Sequence, residues 1–283
     1  MSAEFVLTVS CPEAVGLVHA ITGVLAGCGC DIVESRQFDD HGAGELFLRI
    51  QVRAPDSLAA DRLRAAFAPV AGRHQMRWQL HRRDQRTRVL VLVSKYGHCL
   101  NDLLFRARSG TSPIQIAAVV SNHDEFRALT ESYGIGFHHI PVTPDGKADA
   151  ESRLVALHDE LQVDLVVLAR YMQILSGQLC RQLAGRAINI HHSFLPSFKG
   201  GRPYHQAHAR GVKLVGATAH YVTADLDEGP IIEQDVVRVD HSCGPAELAA
   251  AGRDVEALVL ARAVTWHAEH RVLLNGNRTV VFR

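Results

Sequence analysis

The sequence lacks a surplus of either charge. Lysine plus arginine and aspartate plus glutamate both number 30 among 283 residues, so the formal net charge is zero. Nucleic-acid and anionic-membrane proteins usually carry a basic excess, so neither partner is expected. Long apolar runs are also missing. Val89–Val93 is typical of the unbroken ones, far short of the ~20 residues needed to cross a bilayer. Met1–Ser10 has no basic start and no apolar stretch, so no secretory signal is expected. The cysteines at 11, 28, 30, 99, 180 and 243 form no CxxC pair. Without an export signal they are expected to be reduced thiols in the cytoplasm. There is no P-loop and no complete GxGxxG, so no nucleotide cofactor is expected. No GxSxG elbow is present, which leaves a covalent serine nucleophile unsupported.

What remains is an ordinary globular composition, 47% hydrophobic, with an unusual 17 histidines. The length suggests about two domains. Residues 5–81 read as strand, helix, strand, strand, helix, strand. Phe5–Val9 alternates. Leu17, Val18, Ile21, Val24 and Leu25 make one helical face. Cys30–Phe38 and Glu45–Val52 flank a turn, Leu58–Phe67 is a short helix capped by Asp56 or Ser57, and Met76–His81 closes the unit. That order is ferredoxin-like α+β. The charged Arg82–Arg86 is read as a linker, dividing the chain into domains 1–83 and 84–283.

The second domain changes pattern. Arg88–Ser94 is continuously apolar, as in a strand buried on both faces. Ile114–Ser121, Phe137–Pro141, Asp164–Ala169 and Ala187–His191 follow as strands. Helical stretches such as Glu125–Tyr133, Arg153–Leu161 and Ile174–Leu183 separate them. The alternation predicts a mostly parallel, doubly wound α/β sheet. Ala217–Val222 and Ile231–Val239 are further strands, Pro245–His270 a long helix, and Leu273–Phe282 a closing strand or hairpin.

Open parallel sheets bind ligands beyond the carboxyl ends of their strands. Four such edges are polar: Ser94–His98, Ser121–His123, Arg170–Gln173 and Asn189–Ser193. In the last, Asn189 and His191 share a face, about 7 Å apart along a strand. An amide donor and an imidazole so placed suit polarising a carbonyl and holding an oxyanion. The loop Phe194–Tyr204, with two prolines and adjacent glycines, is suited to closing over a ligand. The acidic turn Asp225–Pro230 reads by itself as a solvated loop, although a carboxylate there beside a histidine would serve as a general base. His191-His192 and His205-Gln206-Ala207-His208 are candidate metal ligands. Adjacent strand histidines are expected to face opposite ways, however, and no HExxH spacing supports them, so no metal is expected.

The segments Ile188-Asn189-Ile190-His191-His192-Ser193-Phe194-Leu195-Pro196 and Gly216–Gly229 resemble the folate-dependent formyltransferase family. The resemblance extends to Val93-Ser94-Lys95, His98-Cys99-Leu100, Val120-Ser121-Asn122-His123, Leu168–Ser176, Lys199-Gly200 and Pro203-Tyr204-His205-Gln206, and runs almost to Arg283. It implies that Asn189, His191 and Asp227 form the catalytic centre. It also implies that a pterin ring lies near Tyr171, Met172, Gln173, Ile174 and Leu175 and the loop of Val222, Thr223 and Gly229, with His192 and Ser193 bordering it.

The implied substrate is 10-formyltetrahydrofolate, with no other cofactor. The family's glycinamide ribonucleotide members carry a Gly-x-Gly-Ser phosphate loop after the first strand. Here that position reads Ser94-Lys95-Tyr96-Gly97-His98-Cys99-Leu100, too bulky for a phosphate nest. Water is then the expected acceptor. The products would be formate and tetrahydrofolate, balancing one-carbon pools for purine biosynthesis.

The first domain resembles an ACT domain, a module that often binds amino acids and pairs between subunits. That implies a homo-oligomer, dimer or tetramer, and an amino-acid effector. Two features depart from the ACT pattern: the turn Cys11–Gly16, and Asp31 in place of an asparagine, which would oppose a ligand carboxylate. The competing expectations are transfer to an unidentified amine, and an amino-acid-binding regulator whose α/β domain is inactive.

Overall fold

The computed structural model describes residues 3–196 and 203–283. Lys199, Gly200 and the middle of the Pro/Gly-rich loop lie outside the described residues. The chain divides into two compact units, one of residues 1–86, 269–275 and 280–283 and the other of residues 87–268 and 276–279.

The first unit contains β1 (Ala3–Pro12), α1 (Leu17–Gly27), β2 (Asp31–Asp40), β3 (Glu45–Ala54), α2 (Ala60–Arg73) and β4 (Arg77–Arg82). Its sheet has the order β2-β3-β1-β4, with every pairing antiparallel. Phe5, Leu7, Val9 and Cys11 alternate along β1 into one core. Leu17, Ile21 and Leu25 of α1 and Leu63, Phe67 and Ala71 of α2 meet them at helical spacing. The expected caps Asp56 and Ser57 do not start α2. Leu58 is buried and closes a turn onto the Pro55 carbonyl, so the helix begins later, at an uncapped Ala59. It also runs on through Pro69, because Ala71 packs on the core.

Residues 269–275, which the reading of the sequence placed in the second domain, cluster here. Arg49, His81 and Asp40 tie them there: the buried Arg49 guanidinium donates to the Glu269 carbonyl at 3.1 and 3.2 Å while pairing with Glu34 at 2.5 Å, the His270 ring stacks on His81 with centroids 3.5 Å apart, and Asn275 Nδ2 donates to Asp40 at 2.7 Å.

The second unit contains β5 (Thr87–Val93), α3 (His98–Ser109), β6 (Ile114–Ser121), α4 (Arg127–Ser132), β7 (Gly136–His139), α5 (Lys147–Glu160), β8 (Leu165–Leu168), α6 (Gly177–Gln182), β9 (Ala187–His191), α7 (Pro203–Ala209), β10 (Leu214–Tyr221), β11 (Ile231–Arg238) and α8 (Pro245–Ala268). The hairpin β12 (Val272–Asn275) and β13 (Arg278–Val281) ends the chain.

The seven-stranded sheet has the order β11-β10-β9-β8-β5-β6-β7. Its pairs from β9 to β7 are parallel, while β10 is antiparallel to both of its neighbours, β9 and β11. The doubly wound, mostly parallel expectation therefore holds. Val89 to Val93 are all buried, as a central strand covered on both faces requires. Helix α6 starts later than expected. Ser176 caps it by accepting from the Leu179 amide at 3.2 Å, leaving Ile174 and Leu175 in extended chain. Among the described residues no helix is long and apolar enough to cross a membrane.

Candidate active site

Strands β9 and β10 place the central groups. His220 lies directly opposite Asn189, and Thr218 opposite His191. The alternation of β9 therefore puts Asn189, His191 and His220 on one face of the sheet. Asn189 Nδ2 is 3.2 Å from His220 Nε2. His220 Nδ1 meets the Tyr221 carbonyl at 2.9 Å, so Nδ1 carries a proton and Nε2 can accept from the asparagine.

Asp227 reaches this face by an indirect route. Because β10 is antiparallel, its end lies level with the start of β9, away from His191. The loop then folds back. Gly229 makes this return possible, because a Cβ there would lie 1.7 Å from the Tyr221 carbonyl oxygen. Asp227 Oδ2 ends 3.2 Å from His191 Nδ1, and Oδ1 lies 3.6 Å from His220 Nε2. Its φ is 58°, the left-handed region that Asp tolerates better than most residues. Burial works against its charge, but the hydrogen bond from His191, with the His220 ring close by, holds the carboxyl well below the usual range.

The arrangement is an Asp–His pair with one ring nitrogen left over. His191 is buried, its Nδ1 faces Asp227, and its Nε2 has no hydrogen-bond partner among the described residues. A buried unpaired polar atom costs about 1–3 kcal/mol, so Nε2 marks a place for a ligand atom. An ionised carboxylate that orients imidazole through Nδ1 leaves Nε2 to accept or return a proton. Held ionised and 3.2 Å from His191 Nδ1, Asp227 is placed to orient that ring rather than to take up a proton itself.

The doubled histidines do not face opposite ways as expected. Strand β9 ends at His191, the chain bends at His192, and the two rings stack with centroids 4.7 Å apart. Behind His192 stands a group that sequence reasoning missed. Arg170 Nη1 lies 2.6 Å from His192 Nδ1, and its Nε lies 3.3 Å from Glu256 Oε2. Glu256, on α8, is 1% exposed. It also receives Tyr204 Oη at 2.7 Å and faces His98 Nε2 at 2.8 Å. Burial opposes its charge, but His98, Arg170 and Tyr204 together hold its pKa below the ordinary value. Burial and then Arg170 lower the His192 pKa to about 4. Arg170 has φ 64°, a conformation that typically costs a non-glycine residue about 1–3 kcal/mol.

Two readable signals were present. Glu256 is a lone acid on a stripe of α8 with Leu248, Gly252, Leu260 and Ala263, and His220 sits within a buried strand.

The other expected residues separate. Met172 and Ile174 are 55% and 59% exposed, while Tyr171 and Leu175 are in the core. Burial raises the Tyr171 pKa to about 12. Gln173 is half-buried. Val222 packs on that core, the Thr223 hydroxyl donates to the Asp225 carbonyl at 2.9 Å, and the buried Ser193 carbonyl accepts from Thr218 at 3.0 Å. The strand ends are tied together, since Ser94 Oγ donates to Asn122 at 2.7 Å and accepts from the Met172 amide at 2.9 Å.

One cluster has metal-type donors: His98, Cys99 and Glu256 place ligand atoms within 4.8 Å of one another. A cation there would meet the Arg170 guanidinium on the same carboxylate, and burial raises the Cys99 thiol well above its usual pKa. The donor set therefore suits an ion pair better than a metal.

Comparison with known proteins follows the two units. The Formyl transferase family model matches residues 87–264 and the ACT domain model residues 4–81. The chain is 58% identical over 281 residues to a formyltetrahydrofolate deformylase of Corynebacterium sp. (strain P-1), covering 98% of each protein. A crystal structure of formyltetrahydrofolate deformylase from Burkholderia mallei superposes with TM-score 0.96 at 53% identity, covering 99% of this chain and 100% of that one. A glycinamide ribonucleotide transformylase from Symbiobacterium toebii superposes with TM-score 0.67 at 30% identity, over 72% of this chain and 98% of its own.

Proposed function

This chain belongs to the formyl transferase family, among its formyltetrahydrofolate deformylases, and from that premise we propose how its site hydrolyses 10-formyltetrahydrofolate to formate and tetrahydrofolate. The observation that carries the reading is the His191 ring, pinned to Asp227 through Nδ1 and unpartnered at Nε2. Water is placed at that nitrogen. His191 takes its proton as the oxygen attacks the formyl carbon, and Asp227 stabilises the imidazolium. Asn189, steadied by His220, donates to the developing oxyanion. Collapse breaks the C–N10 bond, and His191 returns the proton to the departing nitrogen. No metal or further cofactor enters this reading; the folate is the substrate.

Met172, Gln173 and Ile174 on one side, and Val222, Thr223 and Gly229 on the other, are read as the pterin contacts, with Tyr171 and Leu175 supporting them from the core. His192 and Ser193 border the reacting end. The position that would hold an acceptor's phosphate supports water as acceptor. Tyr96 lies under the Arg170 guanidinium at 5.5 Å, and His98 is bound to Glu256. Hydrolysis shifts the one-carbon pool from which purine synthesis draws, and the reaction is placed in the cytoplasm on composition and cysteine usage.

The ACT unit is read as a homo-oligomerisation module, dimeric or tetrameric, because its edge strand β2 exposes Ile32, Val33 and Phe38. A cavity of about 430 Å³ lined by Glu13, Gly16, His19, Gln37, Asp39 and His41 is the candidate effector site. Asp31 is not in its lining and pairs with Arg53 at 3.4 Å. The deciding experiment is incubation with 10-formyltetrahydrofolate alone. One formate per folate consumed, with no amine added, is expected. Absence of formate until an amine is supplied would overturn hydrolysis in favour of transfer.

A further inference from the structure

The reading above uses Asn189, His191, Asp227 and His220 and leaves a second polar chain unexplained: Glu256, Arg170 and His192. A buried ion pair is weak grounds for stability, because desolvation offsets the attraction. Its geometry nevertheless fixes something definite. A guanidinium has five donors and no acceptor. With Arg170 Nη1 at 2.6 Å, His192 Nδ1 must offer its lone pair, so the neutral ring carries its proton on Nε2. The charged and titratable groups around this ring are Arg170, Glu256, Asp227 and His191, with Tyr204 at 6.4 Å. Their balance, added to burial, keeps the ring uncharged near neutral pH. The Nε2–H so defined is buried and has no partner among the described residues. It belongs to a ring stacked on His191, whose own Nε2 is equally unpartnered. Arg170 is held in a backbone conformation that favours glycine, so its side chain is retained there against a local cost.

We propose that His192 is a second hydrogen-bond donor of the reaction site, its Nε2–H directed to an oxygen derived from the formyl group, and that Arg170 and Glu256 are positioning residues that fix its tautomer. The oxygen is that of the formyl group as it becomes an oxyanion, or that of the formate product. The inference rests on the assignment of formyl hydrolysis to His191 and Asn189.

His192→Phe keeps a ring and removes the donor; His192→Gln keeps an N–H near the Nε2 position. Formate release is expected to fall ~10²–10³-fold in His192→Phe, the usual loss for one oxyanion donor, and to stay within about tenfold in His192→Gln, with the tetrahydrofolate dissociation constant unchanged in both. A fall in kcat assigns the donor to the oxyanion. Weaker product inhibition by formate with kcat retained assigns it to the product. If His192→Phe moves neither, the donor role is overturned. Nitrogen-15 spectra of the wild type should show His192 unprotonated at Nδ1 and protonated at Nε2 across neutral pH, and Arg170→Met should let the ring titrate. A protonated Nδ1 in the wild type would overturn the positioning role, and this spectrum reads the tautomer whether or not a variant is active. Asn189→Ala is the control. If it too leaves formate release intact, the hydrolytic assignment itself fails; if it abolishes release while His192→Phe does not, only this inference fails.

Discussion

At the residue scale the site is an alternation of charges and neutral rings. Asp227 lies between two histidines, and Glu256 lies among His98, Tyr204 and Arg170. Replacing Asn189 by Ala should lower formate turnover ~10²–10³-fold with little change in KM, since the amide acts on charge that develops after binding. Asp227→Asn leaves His191 with no carboxylate at Nδ1 and should cost up to ~10⁴-fold in kcat by the same logic as other oriented imidazoles; steady-state formate assays check both.

The pH dependence has a definite sign. His192 carries a lowered pKa, about 4, in the folded protein, against about 6.5 when unfolded. Between those values the unfolded chain binds more protons, so stability is full above about pH 6.5 and declines as pH falls toward 4. Thermal midpoints measured across that window should fall less steeply in His192→Gln than in the wild type. Asn189 and His191 were legible as candidates from strand alternation together with the Pro/Gly-rich loop that follows them. Asp227 was not, since nothing local separates it from Asp225 and Glu228; the family resemblance selected it, and the fold-back of its loop accounts for it. Arg170 was visible only as an edge residue, because its left-handed backbone and its bond to His192 are tertiary facts.

At the element scale the site depends on an antiparallel strand grafted onto a parallel sheet. Strand β10 brings His220 opposite Asn189, and the turn that follows must return over the same face. Gly229 is the tight point, where any Cβ meets backbone and no side-chain rotation can relieve it. Gly229→Ala should therefore destabilise by about 1–3 kcal/mol and reduce formate release beyond what lost folding explains, as denaturant titration and turnover on the same sample would show. Strands β6 and β9 were read to the residue, because continuous or alternating apolar patterns set their ends. Helices α2 and α6 were misjudged at their starts. In each, a buried leucine or a serine cap decided the boundary against the local pattern.

At the scale of the whole molecule, two units carry separate cores. Phe67, 1% exposed and edge-on to Trp78 with centroids 4.9 Å apart, anchors the first. Phe67→Ala should cost ~3–5 kcal/mol of that unit's stability, while formate turnover per folded molecule stays near wild type; a lost turnover in correctly folded protein would show that the ACT unit sets the activity. Composition and periodicity made both fold classes legible. The clustering of residues 269–275 with the first unit was not, because it depends on tertiary contacts such as a buried arginine meeting a carbonyl 220 residues away and Asn275 reaching Asp40.

The hairpin from β10 to β11 has a consequence for how this site can drift. Its two strands are paired as far as His220 and Ile231, with one register shift between Ala219 and His220, and the Tyr221 amide donates to the Pro230 carbonyl, so both feet of the loop 222–229 are fixed. Asp227 is then located by counting along the chain from either foot. Substitutions between Thr223 and Leu226 leave the count intact, whereas a single insertion or deletion changes it and carries the carboxylate away from His191. Between Thr223 and Asp227 the loop is a ruler: it should accept changed letters and refuse changed length.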